Sequence, residues 1–286
     1  MEGNQAPLVG SSARCTLGSY LGHLVTGDKV VWRPKQNEGG VVVATTPRHT
    51  SLSRPDMHGR LKPVAANIDH IVVVIAAEPV AHANLIDRYL VAAETVGIPP
   101  VILLNKCDLI DSSNQAGLDS LLKTYEDLNY KIIRTSIKQQ AGMEVLYDFL
   151  QDKTSVFVGQ SGVGKSSLIG TLLPGIDISV GELSQKRKKG VHTTTTARLF
   201  HMPKGGDLID SPGIREFGLW HISEEELLNG FIEFRPHIGY CRFRDCAHEK
   251  EPGCAILAAL EKGDVTEHRF QSFLRIKQSI RDNNAF

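Results

Sequence analysis

Two periods of hydrophobicity divide the chain. Over residues 1–62 apolar positions come in short runs broken by Gly, Pro and Asn. Small and apolar residues fill 14–24, Asp28-Lys29-Val30-Val31-Trp32 follows, and Gly39-Gly40 precedes Val41-Val42-Val43-Ala44. Short strand runs with Gly turns inside about 60 residues predict a small β-barrel. An OB-type barrel leads, although an SH3-like barrel has the same periodicity. Over residues 63–220 strand runs alternate with helical ones. The run 71–75 is continuously apolar, as in a sheet covered on both faces. Leu85, Tyr89, Ala92, Ala93 and Val96 then recur at helical spacing, and the pattern stops at Gly97 before Pro99-Pro100. Further strand runs fall at 101–104, 131–135, 155–158, 197–202 and 208–209, with helices at 118–128, 143–150 and up to about 173. These six strands predict a parallel-type α/β sheet with binding loops at the strands' C-terminal ends. Residues 221–286 read as helical and polar.

Composition narrows the class. The chain has 286 residues, 41% of them hydrophobic, room for about two domains with a small third. No run of about 18 apolar residues occurs, so no membrane span is expected. Residues 1–12 lack the basic-then-apolar pattern of a signal peptide. Net charge is zero, with 32 basic and 32 acidic residues. Residues 1–62, however, hold eight Lys/Arg against four Asp/Glu, so a polyanion should meet that segment first. Five cysteines, three of them clustered beside a histidine, favour metal ligation in a reducing compartment, the cytoplasm, over a disulfide framework.

The alternating segment carries nucleotide chemistry. Gly159-Gln160-Ser161-Gly162-Val163-Gly164-Lys165-Ser166-Ser167 follows an apolar strand and opens a helix, the context a phosphate loop needs. Its glycines let backbone N–H groups reach phosphate oxygens at a helix N-terminus. Lys165 is expected at the β/γ-phosphates and the Ser166 hydroxyl on Mg²⁺. Asn105-Lys106-Cys107-Asp108 follows a buried strand, and the Asp108 carboxylate can accept from guanine's ring N–H and exocyclic amine. Adenine offers neither donor, which argues against an ATP-using enzyme. Thr135-Ser136-Ile137-Lys138 occupies the place of an accessory base loop; Ser136 either touches the base or belongs to an ordinary strand-end turn. Asp210-Ser211-Pro212-Gly213 supplies a Mg²⁺ carboxylate, through water, and the Gly213 N–H for the γ-phosphate. One threonine of Gly190-Val191-His192-Thr193-Thr194-Thr195-Thr196 completes the Mg²⁺ shell, Thr194 or Thr195. Lys186-Arg187-Lys188-Lys189 beside it is a solvated face or a contact for an acidic partner.

Two features of this set are unusual. The base motif precedes the phosphate loop, and Asp210-Ser211-Pro212-Gly213 comes last, so the domain is circularly permuted. Ile214 stands where many GTPases place the glutamine that orients attacking water. His192, in the loop expected to face the γ-phosphate, is the candidate for that task, beside the reading in which it is a surface histidine. Permutation also sets the γ-phosphate sensor directly before the last segment, so a shift at Gly213 could swing that segment relative to the barrel.

Cys241-x₄-Cys246-x-His248-x₅-Cys254 offers three thiolates and one imidazole over 14 residues, the donor set of a closed, structural Zn²⁺ site. Zinc is expected to staple a segment too small to hold its own core.

Together the barrel, the permuted GTPase domain and the Cys-x₄-Cys-x-His-x₅-Cys segment closely resemble the small-ribosomal-subunit-dependent GTPase family RsgA, also called YjeQ, over almost the whole chain. Leu52-Ser53-Arg54-Pro55, Ala65-Ala66-Asn67-Ile68-Asp69, Leu85-Ile86-Asp87-Arg88-Tyr89-Leu90 and Asp210-Ser211-Pro212-Gly213-Ile214-Arg215 share its wording. The resemblance implies a bacterial, cytoplasmic GTPase of late small-subunit maturation, stimulated by the subunit, with barrel and zinc segments on rRNA. It departs at the start, where the barrel begins early, without the long basic extension of some members. The implied partners are GTP/GDP, the small ribosomal subunit and its rRNA, and a monomer is expected. The alternative is an rRNA-binding assembly module whose GTP/GDP state only sets conformation, with hydrolysis incidental.

Overall fold

The computed structural model describes residues 12–35, 39–55, 60–176, 197–210 and 222–284. Its centre is a six-stranded sheet in the order β10-β11-β9-β6-β7-β8. The strands are β6 (His70–Ala76), β7 (Pro100–Asn105), β8 (Lys131–Arg134), β9 (Thr154–Val158), β10 (Arg198–His201) and β11 (Asp207–Asp210). Every neighbouring pair is parallel except β10 with β11. That exception corrects the expectation of a parallel layout throughout. Only residues 202–206 join β10 to β11, too few for a crossover, so the pair closes as an antiparallel hairpin at the sheet edge.

Helices α1 (Ala83–Thr95), α2 (Gln115–Asp127), α3 (Gln140–Leu150) and α4 (Lys165–Leu172) cover the sheet. The apolar run of β6 is continuous because alternate residues enter different cores. Ile71, Val73 and Ile75 pack with α1 and α2 residues such as Leu90 and Leu122. Val72 and Val74 pack with Leu146 of α3 and Leu168 of α4. Burial on both faces leaves no position on β6 where a polar side chain would be solvated.

Among the described residues, five short strands precede the sheet. β1 (Cys15–Leu17), β2 (Val30–Pro34) and β3 (Gly40–Thr45) form one sheet in the order β1-β3-β2, and β4 (Ser51–Pro55) pairs with β5 (Leu61–Ala66). A bridge between Thr26 and Ala65 links the two groups. β4 and β5 escape a hydrophobicity reading because Ser-Leu-Ser-Arg-Pro and Leu-Lys-Pro-Val interrupt the apolar pattern. Thr26 Oγ1 donates to the Ala197 carbonyl at 2.9 Å, tying this unit to the approach to β10.

The C-terminal segment holds α5 (Glu224–Gly230), α6 (Ala255–Lys262) and α7 (Glu267–Asn284). Ser223 caps α5 reciprocally with Glu226, accepting from the Glu226 N–H while Glu226 accepts from the Ser223 N–H. The segment is not core-poor: Phe231, Phe234 and Phe273 meet edge to face or stacked at 5.0–5.7 Å, and Val91 of α1 joins them. The segment therefore has an apolar source of order beside its cysteine–histidine cluster.

A buried ion cluster fastens α7 to α1. The Arg269 guanidinium donates to Asp87 Oδ1 at 2.6 Å and to Glu233 at 2.6 and 3.1 Å, and Tyr125 of α2 donates to Asp87 Oδ1 at 2.9 Å. Burial pushes the Asp87 carboxyl up, but His268, Arg269 and Ser272 outweigh it and hold it below the ordinary carboxylate range. Any swing of the C-terminal segment must carry α1 with it or break this cluster.

Candidate functional site

The C-terminal ends of β7, β8, β9 and β11 lie on one edge of the sheet, and most sequence-predicted residues gather there. β9 leads into the phosphate loop. Gly159 has φ +140°, and a Cβ there would lie 2.2 Å from the Val74 carbonyl oxygen, so only glycine lets the loop leave the sheet this closely. Gly164 has φ +92°, and a Cβ would lie 2.4 Å from Asn105 Nδ2. The phosphate loop and the base motif, 58 residues apart, are thus packed in contact, and Asn105 Nδ2 donates to the Val163 carbonyl at 2.9 Å. Lys165 Nζ lies 2.6 Å from the carbonyl oxygens of both Gly159 and Gln160, curled over the loop at the start of α4. Ser166 follows it in the first turn.

β7 ends in Asn105, which is 2% exposed and whose Oδ1 is buried without a partner among the described residues. Lys106 adopts a left-handed conformation, φ +58°, that turns its side chain back across the loop. Its ammonium donates to the carbonyls of Glu78 and Gly162 at 2.8 and 2.7 Å. Lys106 therefore braces the phosphate loop against the turn after β6. Asp108 lies in a 3₁₀ turn, Cys107–Leu109, and meets the exit of β8. Its Oδ1 accepts from the Ser136 hydroxyl at 2.5 Å, and its Oδ2 pairs with Lys138 Nζ at 2.8 Å. Those two contacts, Lys138 first, hold the Asp108 carboxyl below its ordinary range. A cavity of about 220 Å³ opens between Asn105, Lys106, Asp108, Ser136, Gly164 and Ser167.

Asp210 ends β11, one step beyond the Ile209–Val156 pair with β9, and so stands at the root of the phosphate loop. Ser166, the other expected oxygen donor among the described residues, lies in the first turn of α4. Gly213, His192, Thr194 and Thr195 lie outside the described residues, as do Ile214 and the 186–189 basic run. Reading the sequence did not single out Lys138, or the Glu78 carbonyl that receives Lys106. The only signal for Lys138 was its place two residues after Ser136.

Cys241, Cys246, His248 and Cys254 converge at a second centre, their donor atoms all within 4.8 Å of one another. Cys241 and Cys254 sulfurs are 3.9 Å apart, and His248 Nδ1 lies 3.5 and 3.4 Å from them. A tetrahedron with metal–sulfur bonds of about 2.3 Å and a metal–nitrogen bond of about 2.0 Å has edges of about 3.8 and 3.5 Å. The cage therefore fits a thiophilic divalent cation. Burial and the sulfurs of Cys254 and Cys241 push the Cys246 thiol up to about 12, and burial lowers His248. A cation held by the cage reverses the thiol preference by stabilising thiolates. Lys277, 2% exposed, donates to the Ala247 carbonyl at 2.5 Å and to Glu249 at 3.1 Å, pinning the loop between the ligands to α7.

A six-stranded α/β domain whose base loop precedes its phosphate loop defines a circularly permuted P-loop nucleotide-binding protein. Residues 45–220 match the RsgA GTPase family. The chain is 55% identical over 284 residues to the small ribosomal subunit biogenesis GTPase RsgA of Hahella chejuensis, covering 99% of this chain and 82% of that one. It is 57% identical over 280 residues to the protein of the same name from Azotobacter vinelandii, covering 98% and 82%. Among solved structures, YjeQ from Thermotoga maritima matches with a TM-score of 0.77 at 31% identity over 94% of this chain and 90% of that one. YloQ, described as a circularly permuted GTPase, matches at 0.72 and 31% over 93% and 83%. The chain belongs to the RsgA GTPase family and is a hydrolase of GTP.

Proposed function

We propose that this protein binds the small ribosomal subunit in its GTP state during late maturation, hydrolyses GTP to GDP and phosphate there with stimulation by the subunit, and then leaves. The observation that carries this reading is identity above half, over nearly the whole chain, to relatives named for small-subunit biogenesis. The convergence of base loop and phosphate loop supports the chemistry. Asn105, Lys106, Asp108 and Ser136 take guanine. The loop from Gly159 to Ser167 takes the phosphates, with Lys165 on the β/γ oxygens and Gly213 on the γ-phosphate. Ser166, Asp210 and Thr194 or Thr195 hold Mg²⁺, which when bound neutralises phosphate charge. His192 orients the attacking water. Zn²⁺ in the Cys241, Cys246, His248 and Cys254 cage is structural.

In this reading the five early strands form an OB-type barrel that meets rRNA, residues up to 220 the GTPase domain, and 221–286 the zinc domain. The first boundary is proposed at residue 62, a position within β5. The working protein is a cytoplasmic monomer. Among the described residues no helix is long and apolar enough to cross a membrane.

The test is GTP turnover by the full chain with and without purified small subunits. Stimulation sustained over many turnovers is expected. Subunit binding without stimulation would transfer support to an rRNA-binding module whose nucleotide only sets conformation.

A further inference from the structure

We propose that Lys138 is a positioning residue for base recognition, holding the Asp108 carboxylate so that it offers two acceptor sites to guanine. The inference rests on the guanine reading of Asp108 and adds a residue to it. An ionised carboxylate has about four lone-pair sites, two on each oxygen. The Ser136 hydroxyl takes one site on Oδ1 at 2.5 Å and the Lys138 ammonium takes one on Oδ2 at 2.8 Å. One site remains on each oxygen, matching the ring N–H and the exocyclic amine of guanine.

The two contacts also remove the side chain's torsional freedom from both ends. Ser136 is itself fixed: it is 1% exposed, and its hydroxyl oxygen accepts from the Lys138 backbone N–H at 3.1 Å. A single turn at the exit of β8 thereby presents a hydroxyl and an ammonium to the same carboxylate. Asp108 is otherwise carried by a short 3₁₀ turn on the neighbouring strand's exit. Without Lys138 the carboxylate would keep the Ser136 contact and lose its restraint at Oδ2. The consequence falls on the second hydrogen bond to the base more than on the first. The Lys138 stem also lines the base cavity, so charge and stem must be separated in any test.

The experiment measures calorimetric affinities of the full chain for GDP, inosine diphosphate and ADP, in wild type, Lys138→Met and Lys138→Arg. Inosine lacks the exocyclic amine, so the ratio of GDP to inosine diphosphate affinity reports the second hydrogen bond. Met keeps an apolar stem and removes the charge; Lys138 is 70% exposed at its side chain, so folding is not at stake. Lys138→Met is expected to lower that ratio about two- to fivefold, the size of an exposed ion pair, with inosine diphosphate affinity nearly unchanged. Lys138→Arg is expected to restore it. A ratio unchanged in Lys138→Met, or a parallel loss for both nucleotides, overturns the role of Lys138 while the guanine reading stands. A wild type that binds GDP no better than ADP overturns the guanine reading itself, and the proposal with it.

Discussion

In the proposed guanine site, replacing the Asp108 carboxylate with an amide exchanges one acceptor oxygen for an N–H donor that would face donors on the base. Asp108→Asn should lower GDP affinity on the order of 10²-fold, since charge-assisted hydrogen bonds are lost and a repulsive pair is gained. Titration with GDP and ADP checks this, and an unchanged preference would return the ATP-using reading to contention. The role proposed for His192 separates binding from chemistry. His192→Ala is expected to lower GTP turnover about 10²-fold with GTP affinity little changed, and an intact rate would remove it from the mechanism. Asp108 and the phosphate loop stand out in the sequence because their expected chemistry leaves few substitutes: a two-donor base edge calls for a carboxylate, and a phosphate calls for glycines and a lysine. Lys138 had no such signature. Its contact with Asp108 exists because β7 and β8 are adjacent and parallel, bringing their exits side by side.

The elements most in need of tertiary information are α1 and α7, joined by Asp87 and Arg269, 182 residues apart. Arg269 is 0% exposed and also lies 4.4 Å over the Phe231 ring. Removing its charge takes the guanidinium from buried Asp87 and Glu233, leaving Asp87 with Tyr125, His268 and Ser272. Arg269→Met is therefore expected to destabilise the protein by about 3–5 kcal/mol, read from urea unfolding. A loss under about 1 kcal/mol would show that water screens the cluster. The same cluster predicts an acid limit. Asp87 titrates below its unfolded value of about 3.9, so its stabilisation is fully present above that pH and is lost as pH falls through the lower folded value. Urea midpoints taken downward from neutral pH should fall in that acid window, and Asp87→Asn should flatten the fall. The thiol cage makes a more local prediction. Phe231, Phe234 and Phe273 pack on one another in a cluster that also takes in Cys254, while Arg269 ties α7 to Asp87. A strong chelator should therefore expose residues 238–254 to protease first and leave α7 protected. Loss of protection across 222–284 would mean that the metal holds the whole segment.

At the scale of the molecule, permutation connects the nucleotide site to its two flanking units differently. The C-terminal segment is clamped to α1, so it is expected to move with the GTPase domain. The early strands reach that domain through Leu52 and Ala65, which share a core with Ile71, Val73 and Ile209. They also reach it through the Thr26–Ala197 hydrogen bond, and Ala197 directly follows the four threonines. Nucleotide-dependent motion between the two flanking units is therefore expected at the early strands. Spin labels on α1 and α7 should give the same distance with GDP and with a non-hydrolysable GTP analogue, and labels on β2 and α1 should not. A changed α1–α7 distance would show that the ion cluster opens. The sequence by itself determined the α/β class, the two-faced burial of β6, the order of the nucleotide motifs and the four-donor cage. Each of these is set by local periodicity or by chemistry that tolerates few residue types. Only the tertiary structure decided the reversed edge strand, the hydrogen bonds that lock base loop to phosphate loop, the aromatic core after residue 222 and the partners of Asp87 and Lys138. Those contacts join residues far apart in the chain, where no spacing rule applies and only the packing of whole elements sets the distance.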